Sequence, residues 1–152
     1  MASSLPGPDP ITSITIDVPV DFSALESVRR EVVDQAQVAG LSEAKSAELE
    51  MAVDEACTNI IEHSYAGTKP PHPPPGLQLR ISRYADRVEV EIFDGGIGFD
   101  FHQHPVVSPD QYVARRNQRG LGMYIITRFV DDCQYQRGTR VGNCLRLTKL
   151  LK

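Results

Sequence analysis

Between Glu48 and Tyr65 the chain reads ELEMAVDEACTNIIEHSY, and two polar residues in it could do chemistry. Glu55 and Asn59 lie four positions apart, so on a helix they stand one above the other on a single face. Val53, Ala56, Cys57, Ile60 and Ile61 around them are apolar, which predicts a largely buried helix. A carboxylate and a carboxamide beside a core need a compensating interaction. We read this face as one that holds a magnesium nucleotide, with the rest of the chain completing the pocket.

Two glycine clusters bear on that reading. Asp94-Gly95-Gly96-Ile97-Gly98 closes an alternating stretch, so the backbone there must turn tightly or approach something closely. The dinucleotide fingerprint does not apply, because Phe101 is the third residue after Gly98 and no helix signal follows; the P-loop pattern is absent as well. Asp94 suggests base recognition. A buried carboxylate accepts from the exocyclic amine of adenine but would oppose the carbonyl of guanine, acceptor against acceptor. A plain Asp-Gly-Gly turn explains the same residues equally well when they are taken alone. Gly120-Leu121-Gly122 precedes an apolar helix, whose free N–H groups and positive dipole end suit phosphate. An ordinary loop glycine is the alternative there. Other candidates are weaker. His102 and His104 lack a third ligand at useful spacing, and His63 suits a helix C-terminus better than a phosphoacceptor role. Asp54 and Glu62 read as flanking charges.

These residues must be positioned by one domain. The 152 residues can bury a core without disulfides or a structural metal. A net charge of −4 gives no reason to expect direct nucleic-acid binding, and no apolar run reaches the length of a membrane span. The start, MASSLPGPDP, lacks the basic and apolar regions of a secretory signal, so residues 1–10 read as a flexible tail before a single domain over 11–152. Three cysteines without CxxC spacing argue for a reducing, cytoplasmic setting. Cys133 and Cys144 fall on neighbouring predicted strands and are expected close together as small buried residues.

Periodicity supplies the elements. A strand is expected over 11–18. A helix opened by a Ser23/Glu26 capping box should follow, ending at Gly40. Ser42 should cap the long helix that carries Glu55 and Asn59 to about Ser64, with Gly67 as its stop. The prolines of KPPHPPPG, residues 69–76, predict a stiff surface loop. Residues 77–84 and 87–93 alternate and read as a hairpin, and 99–119 has the character of a lid. A helix over 123–130 and strands over 133–137 and 143–150 complete the chain. The order predicts an α+β two-layer sandwich: a mixed, largely antiparallel sheet with helices on one face.

E-x-x-x-N on a helix, D-x-G-x-G after a strand and G-x-G at a later helix occur here in that order. In Ala52 to Asn59 with His63, Asp94 to Gly98, and Gly120 to Ile126, the sequence resembles the Bergerat-type ATP-binding fold of gyrase, Hsp90 chaperones, histidine kinases and MutL. Within that group it looks most like the bacterial anti-sigma-factor serine/threonine kinases, from about Ile14 to Leu151. The resemblance implies ATP and Mg²⁺ as cofactors, Asn59 as the metal ligand and Glu55 as the residue that takes the proton of the attacking hydroxyl or orients a water. It implies that Asp94 reads adenine, that Gly96 and Gly98 allow its approach, and that Thr148 lies near the base. Arg119, Gly120, Leu121, Gly122 and Met123 would form the phosphate-binding stretch, with one lid arginine among Arg115, Arg116 and Arg119 on the terminal phosphate. The implied partners are a small anti-sigma-factor antagonist as substrate and a sigma factor or other regulated protein, and the likeness suggests a homodimer. The rival readings are a catalytically idle nucleotide-dependent module and a detached histidine-kinase catalytic domain. Both Glu55 and Asn59 being present disfavours the first; the lack of a second helical hairpin to present a histidine disfavours the second.

Overall fold

A computed structural model describes residues 7–98 and 119–152, the backbone alone for 119–123. The elements run β1 (Thr12–Val18), α1 (Leu25–Ala39), α2 (Glu43–Asn59), β2 (Leu77–Arg83), β3 (Arg87–Asp94), α3 (Arg119–Phe129), β4 (Asp132–Thr139) and β5 (Gly142–Leu150). The five strands form one sheet in the order β1-β2-β3-β5-β4, and every pairing among the described residues is antiparallel. The expected lid lies outside the described residues apart from Arg119, as does most of the expected tail.

Strand alternation divides the sheet into two faces. Leu77, Leu79 and Ile81 of β2, Val88, Val90 and Ile92 of β3, and Leu145 and Leu147 of β5 are buried on one of them. The helices cover that face. α1 contributes Leu25, Val28, Val32 and Ala36, and α2 contributes Leu49, Ala52, Val53, Ala56 and Cys57, each set at helical spacing. α3 adds Ile126. The opposite face is polar and pairs with itself: Arg80 grips Glu91 at 2.9 and 2.8 Å and lies over the Phe93 ring. Polar groups on a solvated face and apolar groups beneath the helices give the two-layer sandwich.

The caps follow the sequence, with one correction. Gly40 ends α1 in the left-handed region at φ 100°, and the Ser42 hydroxyl accepts the Lys45 N–H at 3.1 Å to open α2. The Ser23/Glu26 capping box does not form. The Asp21 carboxylate takes the Ser23 N–H at 2.9 Å and caps a 3-10 turn over Phe22–Ala24, so α1 begins only at Leu25. The Ser23 N–H that the box would give to the Glu26 carboxylate goes instead to the Asp21 carboxylate, only two residues away.

Lys149 ties the layers together. Its ammonium, nearly fully buried, donates to Glu48 of α2 at 2.5 Å and to the Phe129 carbonyl at the end of α3 at 2.6 Å. A cation at a helix C-terminus satisfies an orphan carbonyl and complements the dipole.

Two glycines of the β4–β5 turn make different demands. Gly138 and Gly142 both have positive φ, at 69° and 96°. A Cβ on Gly138 would meet open space, whereas one on Gly142 would sit 2.2 Å from the Asp94 carbonyl oxygen. Gly138→Ala should therefore cost only the left-handed backbone, about 1–2 kcal/mol. Gly142→Ala should cost clearly more, because β3 must also move. Denaturant titration of both variants checks this; equal midpoints would show that the close approach at Asp94 is unimportant.

Candidate functional site

The candidate residues Glu55 and Asn59 are carried by α2. Glu55 and Asn59 are both half-buried on that helix, between the core positions Ala52, Ala56 and Ile60. Burial pushes the Glu55 carboxyl above its ordinary value, and the negative charges of Asp54 and Glu62 push it the same way. Asp54 is itself engaged by Arg29 at 2.8 Å. The Asn59 side-chain nitrogen is buried and has no hydrogen-bond partner among the described residues. An orphaned amide on a half-buried helix face is costly unless something else completes it.

Directly after Asn59 the helix changes pitch. Ile60–Ser64 is π-helical, and the Tyr65 N–H reaches back five residues to the Ile60 carbonyl at 3.3 Å. Such turns are rare and concentrate at functional sites. Here the wider turn delivers Ser64 and Tyr65 to the glycine segment. From Glu55 to Ser64 the helix spans about 13 Å at roughly 1.5 Å per residue.

Asp94 lies at the foot of that helix, at the end of β3, and is 1% exposed. Its Oδ1 receives the Ser64 hydroxyl, the Gly96 N–H at 3.0 Å and the Asn143 amide at 2.9 Å. Its Oδ2 is buried and has no partner among the described residues. A fully buried carboxylate with one saturated and one bare oxygen can accept from a donor that the described residues do not supply. This is what a plain Asp-Gly-Gly turn would not show.

The glycines answer to protein as well as to any ligand. A Cβ on Gly95 would meet the Pro73 carbonyl oxygen at 2.4 Å, and one on Gly96 would meet the Ser64 carbonyl oxygen at 2.3 Å. Gly98, at φ 86°, lies under Arg137, whose Nε and Nη2 both donate to the Ile97 carbonyl at 3.0 and 2.8 Å. The segment is thus threaded between the proline loop, the π turn and β4. Tyr65 joins these parts: its hydroxyl accepts the Gly95 N–H at 2.6 Å and donates to the Gly76 carbonyl. Burial pushes this hydroxyl up, so it stays protonated and able to donate.

Several expected residues come together and others do not. Asp94, Gly96 and Gly98 meet around Ser64, which lies five residues beyond Asn59 on the continuation of α2. The backbone of Arg119, Gly120, Leu121, Gly122 and Met123 forms the opening of α3, so the glycines stand within the helix rather than before it. Thr148 is misplaced by the sequence reading. It faces Glu89 across the β3–β5 ladder, whereas Asn143 faces Asp94. Directly paired residues project to the same side, so Thr148 lies on the polar face with Glu89, away from the helices and about 17 Å along the strand from Asp94 at ~3.4 Å per residue. Asn143, Ser64 and Tyr65 are the residues that the sequence reading missed. A polar residue opening a strand after a glycine was the one available signal for Asn143.

Cys133 and Cys144 do occupy neighbouring strands, but they pair with Leu147 and Gln136 and point to opposite faces, so they are not neighbours. All three thiols are free, and burial pushes Cys57 and Cys133 up to about 12 and Cys144 to about 11. None offers a thiolate at neutral pH.

Known proteins resemble this chain in sequence and fold. A serine-protein kinase RsbW of Bacillus subtilis (strain 168) is 28% identical over 142 residues, which cover 91% of this chain and 85% of that protein. The RsbW of Bacillus licheniformis is 31% identical over 108 residues, 68% of this chain and 64% of its own length, so the chain spans just under two thirds of that relative. The RsbU and RsbW domains of a Mycobacterium tuberculosis protein superpose with a TM-score of 0.62 at 17% identity, over 93% of this chain and 32% of that one. The SiaB-SiaC complex of Pseudomonas aeruginosa gives a TM-score of 0.57 at 12% identity, over 93% and 90%. These two likenesses show the fold. A family model described as the histidine kinase-like ATPase domain matches residues 18–149, and the chain belongs to that family.

Proposed function

We propose that this chain is an ATP-dependent serine/threonine protein kinase that acts as an anti-sigma factor in partner switching. In this reading it phosphorylates a small antagonist protein and sequesters a sigma factor or comparable regulator when the antagonist is unavailable. The observation that carries the nucleotide part is the bare, buried Oδ2 of Asp94 at one end of the helix that bears Glu55 and Asn59. The kinase part is supported by the RsbW relatives, which are serine-protein kinases by name. A homodimer and a cytoplasmic location are part of the same reading; no described helix is long and apolar enough to cross a membrane.

Each residue then has a task. Asp94 Oδ2 accepts the adenine amine and fixes the base. The opening turn of α3, from Arg119 through Gly120, Leu121, Gly122 and Met123, turns N–H groups toward the phosphates. Asn59 would hold Mg²⁺ through its amide oxygen, and its orphaned nitrogen is a donor that a phosphate oxygen could satisfy. Among the described residues no cluster of three or more His, Cys, Asp or Glu could hold a metal ion. Magnesium keeps waters and phosphate oxygens and takes few protein ligands, so a single carboxamide can serve it. When bound, the ion would neutralise phosphate charge. Glu55 takes the proton of the partner's serine or threonine hydroxyl as that oxygen bonds to the γ-phosphorus and the bond to ADP breaks. A carboxyl raised by burial holds that proton better than an exposed one would.

The decisive assay combines the protein, γ-labelled ATP, Mg²⁺ and a candidate antagonist from the same genome. Acid-stable label should appear on a serine or threonine of the antagonist. Acid-labile label would point to histidine, and tight ATP binding without any transfer would leave an idle module.

Two variants divide the labour. Asn59→Ala should lose the magnesium-dependent part of ATP binding, read by calorimetry with and without Mg²⁺; unchanged binding would refute the metal role. Glu55→Gln should bind ATP normally yet lose transfer by about 100-fold or more. The same variant has a stability signature. Because burial raises the folded-state value of Glu55, the native protein binds this proton more tightly than the unfolded chain. Stability contributed by Glu55 is therefore full below the ordinary carboxylate range and declines as pH rises through the raised value. Glu55→Gln should melt higher than wild type at pH 7, and the gap should close at acid pH. A lower melting temperature at pH 7 would contradict a desolvated carboxylate.

A further inference from the structure

The two oxygens of Asp94 are treated differently. Among the described residues, Oδ1 takes three donors, from Ser64, Gly96 and Asn143, while Oδ2 takes none. Turning the carboxylate would break all three bonds at once, inside a site where the freed groups could not reach water. The two side-chain donors are anchored in turn. The Ser64 hydroxyl also accepts the Gly98 N–H at 3.0 Å. Asn143 Nδ2 also donates to the Gly96 carbonyl at 3.0 Å, and its Oδ1 accepts the Gly138 N–H at 3.0 Å. That pattern fixes the orientation of the Asn143 amide, since the flipped form would set oxygen against two acceptors and nitrogen against a donor.

We propose that Ser64 and Asn143 are the specificity-determining positioning residues of the base pocket. They bind the inner oxygen of Asp94 so that only a fixed acceptor, with no rotatable donor, faces position 6 of the purine. The inference rests on the reading of Asp94 as the adenine acceptor and adds where its selectivity originates. A carboxylate free to tilt could admit a water that donates to a 6-carbonyl, and an adenine-reading site would then tolerate hypoxanthine. The lock denies that freedom. Backbone alone could not provide it, since the Gly96 N–H is a single donor.

The test compares ATP with ITP, which differ at position 6 in amine against carbonyl. Dissociation constants for both are measured by calorimetry on the full chain, with the melting temperature recorded for each variant. Wild type should prefer ATP. Ser64→Ala and Asn143→Ala should each lower the ATP-to-ITP preference by about three- to tenfold, the scale of one buried hydrogen bond. Equal weakening of both nucleotides, or no change, would mean that the two residues are merely structural and would overturn the proposal. Asp94→Asn probes the lock from the other side. Its amide oxygen must turn to the three donors, leaving NH₂ toward the base, so preference should pass to ITP. A variant that still prefers ATP, or binds neither nucleotide, would count against the lock. Wild type that fails to bind ATP, or binds ATP and ITP alike, would instead remove the adenine reading itself.

Discussion

A buried carboxylate is the constraint around which this molecule is arranged. Asp94 is 1% exposed at the end of a central strand, and nothing in the described protein neutralises it with a cation at hydrogen-bond distance. Such a group costs several kcal/mol unless its hydrogen bonds are made. Three donors on Oδ1 offset much of that cost, and supplying them dictates the neighbourhood. Ser64 must come from the end of the long helix, Asn143 from the start of β5, and Gly96 from a backbone that doubles back on itself. The second oxygen is left bare among the described residues.

The same constraint explains why the helix changes pitch. A regular α-helix through Ile60 to Ser64 would turn Ser64 about the axis relative to its observed position. The π turn accommodates the difference, so one continuous element serves both Asn59 and Asp94. At its other end that helix is tied through Glu48 to Lys149, which also holds the last carbonyls of α3. The end of α3 and the strand β5 are thereby referred to one rigid rod. Precise spacing between them then follows from helix geometry rather than from loops.

Glu55 shows how burial sets chemistry. It stands on the face that the core does not use, near enough to apolar neighbours for its charge to be disfavoured and near enough to Asp54 and Glu62 for the effect to deepen. Arg29 engages Asp54, so the nearest anion is balanced and the perturbation of Glu55 rests mainly on desolvation. The thiols illustrate the opposite case, in which burial renders a reactive group inert.

Local physics was legible in the sequence. Alternation announced the strands, helical spacing announced α1 and α2, and Gly40 and Ser42 marked their ends, because each of these signals acts within a few residues. Glu55, Asn59 and Asp94 were visible for the same reason: a polar group of unusual type interrupts a local apolar pattern. The capping box at Ser23 failed on a competition between two nearby acceptors that spacing cannot weigh. Thr148 failed because a strand motif does not reveal which face its residues take, and only the ladder register assigns that. Ser64 and Asn143 meet Asp94 across 30 and 49 residues of chain, and the glycines' tight clearances involve equally distant partners. What the sequence determined by itself was the set of chemical groups and the elements that carry them. The tertiary structure alone decided which oxygen of Asp94 is occupied and which is bare, because that depends on donors brought together only when the chain closes.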